Sequence, residues 1–238
     1  MSTLGRMQEE TVTIHSGEST IGGYLVLPDG AGPHPGVVVI HEAFGLTDQI
    51  KSVTARLAGE GYAALAVDLF SGRNRVVCMA RLMSGMLRVA PDRFGIRDLR
   101  AALDFLARSP GVDNRRIGAI GFCMGGGLAI AWACTDDRLQ AIAPFYGTNP
   151  RPSTALARLC PVVGSYPGAD FTARSGRKLD QALNQYGIPH DIKIYPGARH
   201  SFFNERGRAF NSAAATDSWQ RVLAFFETHV RGGPAPAP

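Results

Sequence analysis

Residues 115–126 read Arg-Arg-Ile-Gly-Ala-Ile-Gly-Phe-Cys-Met-Gly-Gly, and the fold turns on this stretch. The apolar run 117–122 suits a buried parallel strand. A helix over 124–134 is expected next, so Cys123 would stand on a sharp strand-to-helix turn, the setting of a nucleophile elbow. Such a turn is tight and strained at its centre, and Gly121 and Gly125 supply the small neighbours it needs. A helix opening just behind the sulfur offers backbone N–H groups and the positive end of a dipole, both of which favour a thiolate. The competing reading is a buried cysteine ahead of a glycine-rich helix packed closely on a sheet. The strand–turn–helix context favours the nucleophile.

On both sides of this turn the chain alternates between two periodicities. Upstream, 11–27 reads as a hairpin about Gly17-Glu18, and GVVVIHEA (36–43) as a buried strand. Ile50, Val53 and Leu57 have helical spacing, closed by Gly59 and Gly61. AALAVDLF (63–70) is a strand, and 75–90 and 93–108 are helices. Downstream, strands are expected at LQAIAPFYG (139–147), CPVVGSYPG (160–168) and HDIKIYPG (190–197), with helices at 172–187 and 211–230. Alternating strands and helices imply a mostly parallel sheet covered on both faces, with its ligand site at the carboxyl ends of the strands. The expectation is one α/β domain over 1–230 and a disordered tail over 231–238.

Composition narrows the function classes. The 238 residues are 45% hydrophobic, enough for a large single core. The net charge is +5, but Lys and Arg are scattered without a basic run, which argues against nucleic acid as a partner. Cys78, Cys123, Cys134 and Cys160 form no C-x-x-C pair and have no histidine cluster beside them, so neither a structural zinc nor a disulfide framework is expected. MSTLGRMQEETV lacks the apolar centre of a signal peptide, and no apolar run approaches the ~18 residues of a membrane span. The expected setting is a reducing cytoplasm and the expected partner a small molecule, with the protein a monomer or small homo-oligomer and without metal or organic cofactor.

A cysteine nucleophile needs a base, and the base an orienting acid. Of the histidines beyond Cys123, His190 starts a strand and His229 ends the last helix. His200 follows DIKIYPG at the carboxyl edge of the sheet and is the natural base. Asp170 directly follows PVVGSYPGA; it could instead cap the next helix, and the two roles could coexist. Ser165 and Ser201 sit on no elbow, which argues against a serine hydrolase. Met79, Leu82, Met83, Met86 and Leu87 form an apolar stripe in 75–90, readable as core or as the wall of an adaptable pocket.

Taken together, these residues resemble the dienelactone hydrolase family, the carboxymethylenebutenolidase type, over roughly residues 10–230. The pieces are His41-Glu42-Ala43-Phe44-Gly45 at a strand end, the GFCMGG elbow, Asp170, and His200-Ser201-Phe202. The resemblance implies an α/β-hydrolase fold and a Cys123–His200–Asp170 triad. It also implies that Glu42 contacts the resting thiol and that the N–H groups of Met124 and Ala43 form an oxyanion hole. Family members place a carboxylate-binding arginine just after the histidine, whereas this chain has Phe203 and Asn204, with Arg206 and Arg208 further on. A second such arginine would correspond to Arg81 or Arg75. Phe44, Arg81, Asn204 and Arg206 are the candidate substrate contacts.

The implied chemistry is cleavage of a small ester or lactone through a thioester acyl-enzyme. A thiolate is a good leaving group, so an amide adduct tends to expel it again, and esters fit better. The rival reading is a binding or redox-sensing protein on the same fold, with Cys123 as its sensor thiol.

Overall fold

The computed structural model describes residues 7–87 and 89–232; the expected tail, from 233 onward, lies outside the described residues. Eight strands form one sheet in the order β1-β2-β4-β3-β5-β6-β7-β8. They are β1 (Gln8–Ser16), β2 (Ser19–Leu27), β3 (His34–Ile40), β4 (Ala63–Asp68), β5 (Val112–Phe122), β6 (Leu139–Phe145), β7 (Val162–Pro167) and β8 (His190–Tyr195). The hairpin β1–β2 pairs antiparallel, and β2 joins β4 antiparallel. From β4 to β8 every pairing is parallel. The helices are α1 (Asp48–Gly59), α2 (Arg75–Leu87), α3 (Ile96–Arg108), α4 (Met124–Ala133), α5 (Thr172–Tyr186) and α6 (Ser212–Phe226). No described helix is long and apolar enough to cross a membrane.

The period of two along each central strand divides the core into two layers. Val38 and Ile40 of β3 and Leu65 and Val67 of β4 face one layer, built with α2, α3, α4 and α5. Val37, Val39, Ala64 and Ala66 face the other, built with α1 and α6. Burial on both faces is why these strands read as continuous apolar runs rather than alternating ones. This is an α/β-hydrolase fold, as the sequence predicts.

Several boundaries differ from the sequence reading, each for a local reason. β3 ends at Ile40, so Glu42 and Ala43 belong to the following loop. The His41 imidazole is fully buried and bonds to that loop and to the end of β4, leaving the ladder at this point. α3 starts at Ile96 because Gly95 takes φ 86, which is outside the helical region. α6 ends at Phe226, and the chain continues in a single π turn over Glu227–Arg231. The Pro-rich loop after β6 holds a short 3-10 turn, Ser153–Arg158. The apolar stripe of α2 divides: Cys78, Leu82 and Met86 are buried, whereas Val76, Val77 and Met83 are exposed.

α4 is the central helix, buried along its whole length from Met124 to Ala133. Its first turn touches backbone on two sides. A Cβ on Gly125 would lie 2.7 Å from the His41 carbonyl oxygen and closer still to that of Ile40; one on Gly126 would lie 2.6 Å from the Phe145 oxygen. The contacted atoms are backbone and cannot rotate away. Gly125→Ala is therefore expected to destabilise by about 1–3 kcal/mol, as overpacking does. Gly59→Ala, at a position with nothing within 4 Å, is expected to be neutral or stabilising. Urea unfolding of the two variants checks this, and equal midpoints would refute it.

Candidate active site

Five neighbouring strand ends supply the site. Beyond β3 lie His41 and Glu42, beyond β5 Cys123, beyond β6 Tyr146, beyond β7 Asp170, and beyond β8 His200 and Ser201. Cys123 has φ 55 and ψ −114, a conformation an L-residue adopts at a cost of about 1–3 kcal/mol. The cost is borne because its N–H donates to the Phe145 carbonyl at 3.0 Å while glycines on both sides admit the turn. Its sulfur is thereby held at the mouth of the sheet, beside the Met124 amide.

The sulfur lies 3.0 Å from His200 Nε2, and His200 Nδ1 lies 3.0 Å from Asp170 Oδ2. Nδ1 faces a carboxylate, so a neutral imidazole keeps its proton there and turns the Nε2 lone pair toward the thiol. The other Asp170 oxygen, Oδ1, accepts from the Thr172 amide at 2.7 Å and the Thr172 hydroxyl at 2.6 Å. The N-cap of α5 is Phe171, so Asp170 stands one residue before the cap; it holds Thr172, the first helical residue, and orients His200 with different oxygens of one carboxylate. Burial pushes the Cys123 thiol up to about 11; the Met124 amide opposes the rise, and the charges of Glu42 and Asp170 add to it. The resting sulfur is accordingly S–H at neutral pH.

Glu42 is 7% exposed and binds differently from the contact that the resemblance implies. The thiol's hydrogen-bond partner is His200, and Glu42 reaches the sulfur only through its charge. Its Oε1 accepts from the Ser201 hydroxyl at 3.0 Å and the Tyr146 hydroxyl at 3.3 Å. Burial and the nearby Glu42 carboxylate raise the Tyr146 phenol well above its ordinary range, so it stays a donor. Tyr146 and Ser201 both have positive φ, 42 and 62, so both strained residues converge on the same carboxylate oxygen. His41 fixes the next peptide. Its Nε2 accepts from the Leu69 amide at 3.1 Å, so Nδ1 carries the proton and donates to the Glu42 carbonyl at 2.6 Å. Burial lowers the His41 pKa and keeps the ring neutral. In a trans peptide N–H opposes C=O, so the Ala43 N–H is directed away from His41.

The candidate substrate contacts separate. Phe44 is 66% exposed at the rim, its carbonyl gripped by the Arg75 guanidinium. Arg81 stacks on Phe94 at 4.5 Å, and Arg206 pairs with Asp48 at 2.8 Å in solvent. Asn204 uses its Oδ1 on the Arg206 amide and lines a small cavity with Glu42, Gln49 and Tyr146. The sequence reading assigns no role in holding the site to His41, Tyr146 or Ser201: His41 and Ser201 enter it only as parts of the motifs that carry the resemblance, Ser201 also as a rejected nucleophile. The adjacent residues Glu42 and His200 are the signal that could have found two of them. Among the described residues no group of three or more His, Cys, Asp or Glu side chains is placed to hold a metal ion.

Residues 21–230 match the profile of the dienelactone hydrolase family. A protein of Saccharolobus solfataricus assigned as carboxymethylenebutenolidase is 34% identical, covering 91% of this chain and 97% of that one. Another so assigned, from Synechocystis, is 31% identical, covering 92% and 96%. A crystal structure assigned as a dienelactone hydrolase from Klebsiella pneumoniae superposes with a TM-score of 0.82 at 28% identity, covering 93% of this chain and 99% of that one. A dienelactone hydrolase-like promiscuous phosphotriesterase from metagenomic libraries gives 0.81 at 26% identity, covering 94% and 99%.

The thiol's raised pKa has a direct consequence. Below about 11 only a small thiolate fraction exists, and it grows tenfold per pH unit. Iodoacetamide alkylation of Cys123 in the free protein is expected to climb through pH 7–9.5 without a plateau. Glu42→Gln, which removes one of the charges raising the thiol, is expected to move the profile to lower pH. A plateau already reached below pH 7 would indicate a resting thiolate–imidazolium pair and refute this description.

Proposed function

The chain belongs to the dienelactone hydrolase family of carboxylic ester hydrolases, and from that premise we propose that it hydrolyses small esters or lactones by acyl transfer through Cys123. The observation that carries the reading is the unbroken line Cys123 Sγ–His200 Nε2, His200 Nδ1–Asp170 Oδ2, each step 3.0 Å.

His200 takes the thiol proton as sulfur attacks the ester carbonyl. The imidazolium so formed is stabilised by Asp170. The developing oxyanion meets the Met124 and Ala43 amides; loss of one such donor costs about 2.7–4 kcal/mol in other hydrolases. His200 then protonates the leaving alcohol, and a thioester remains on Cys123. Water, deprotonated by His200, resolves the thioester to acid and free thiol. Glu42 opposes premature ionisation of the sulfur, and Tyr146 and Ser201 hold it in place.

The arginines bear on substrate charge. Arg81 and Arg206 are engaged with Phe94 and Asp48, and Asn204 stands where family members carry a carboxylate-binding arginine. Neutral esters are therefore expected to be hydrolysed at least as well as lactones bearing a carboxylate. Strong preference for the charged lactones in a substrate panel would refute this.

Variants test the assignment of roles. Cys123→Ala is expected to abolish turnover, while alanine at Cys78, Cys134 or Cys160 leaves most of it. Asp170→Asn keeps one side-chain oxygen for the Thr172 amide and is expected to lower kcat by up to about 10⁴-fold, the scale known for a serine triad. Full activity in Cys123→Ala, or a loss below about tenfold in Asp170→Asn, would overturn the corresponding role.

A further inference from the structure

Among the large apolar side chains left in water, Phe171 is 74% exposed. It directly follows Asp170 and leads into α5 with helical backbone angles, φ −61 and ψ −25. Its ring lies almost parallel to the His200 imidazole, with an interplanar angle of 9° and centroids 6.0 Å apart. Single exposed apolar residues are ordinary on protein surfaces. This one is held beside the imidazole that must hand a proton to the leaving alcohol. Phe44, beside Ala43, is the other exposed ring at the site.

We propose that Phe171 is a specificity-determining residue that receives a planar, apolar leaving group, and that aryl esters are preferred over esters of saturated alcohols. The proposal rests on the ester-hydrolase reading above and names the substrate class for the same site. In the acylation step the sulfur–acyl bond forms and the acyl–oxygen bond breaks. The proton taken from the thiol passes from Nε2 to the departing oxygen. That oxygen must come within about 2.6–3.2 Å of Nε2. The alcohol side of the ester therefore lies against His200, while the carbonyl oxygen lies toward Met124. A planar group on that oxygen extends along the edge of the imidazole to the ring already stacked on it, where offset aromatic packing is favourable. A saturated, non-planar alcohol cannot lie flat there.

The test compares two esters with activated alcohols, phenyl acetate and trifluoroethyl acetate. Phe171→Ala is expected to lower the phenyl-to-trifluoroethyl ratio of kcat/KM about tenfold, equivalent to 1.4 kcal/mol, mainly through a higher KM for the phenyl ester. Phe171→Tyr keeps the ring and is expected to retain most of the ratio. An unchanged ratio in Phe171→Ala, or equal losses for both esters, would overturn the proposal; equal losses would make Phe171 a support for the Asp170–His200 bond. A second measurement needs no variant. Phenol is expected to inhibit the wild-type protein competitively at lower concentration than cyclohexanol, and equal inhibition would also overturn the proposal. Wild-type protein that cleaves neither ester would overturn the ester reading together with this inference, an outcome distinct from a ratio that fails to move.

Discussion

The left-handed turn at Cys123 is the constraint on which the rest of the structure depends. A residue with a side chain is placed there at φ 55 only because Gly121, Gly125 and Gly126 let α4 approach the ends of β3 and β6 at backbone distance. That approach fixes the helix against the sheet, leaves α4 buried along its length, and places the Met124 amide beside the sulfur. A single side chain inside the turn would push the helix, the Met124 amide and the Cys123 sulfur out of register together. Fold and site share one geometric solution here.

The neighbouring strand ends serve several purposes at once. Asp170 uses one oxygen to hold the start of α5 and the other to hold His200, so helix and imidazole are tied to the same carboxylate. His41 joins the ends of β3 and β4 and also sets the orientation of the Glu42–Ala43 peptide. Tyr146 and Ser201, both strained, secure Glu42 close enough to influence the thiol while leaving the thiol's hydrogen bond to His200. The half-buried thiol, its pKa pushed up to about 11, lies 3.0 Å from His200 Nε2.

The layered architecture was legible in the sequence because its signals are local. Continuous runs such as Val37–Ile40 report burial on both faces, and glycines mark the turns. The strand-to-helix turn at Cys123 and the loop positions of Asp170 and His200 follow from the same local pattern. What the sequence did not reveal depends on contacts between distant segments. Tyr146 and Ser201 meet Glu42 across 104 and 159 residues, and no periodicity encodes such a meeting. The partners of Arg75, Arg81 and Arg206 are likewise chosen by tertiary neighbours: the Phe44 carbonyl, the Phe94 ring and Asp48. Charge type alone made all three look equally able to meet a substrate carboxylate.

The proposed chemistry stands or falls on a covalent intermediate at one sulfur. Acid-quenched mass spectrometry of the protein reacting with a slowly deacylating ester, such as a hindered aryl ester, reads that intermediate directly. The expected result is a transient adduct of one acyl group, located by proteolysis on the peptide that contains Cys123 and lost as product forms. Turnover with an acyl group on a different residue, or sustained turnover with Cys123 never acylated, would contradict the mechanism.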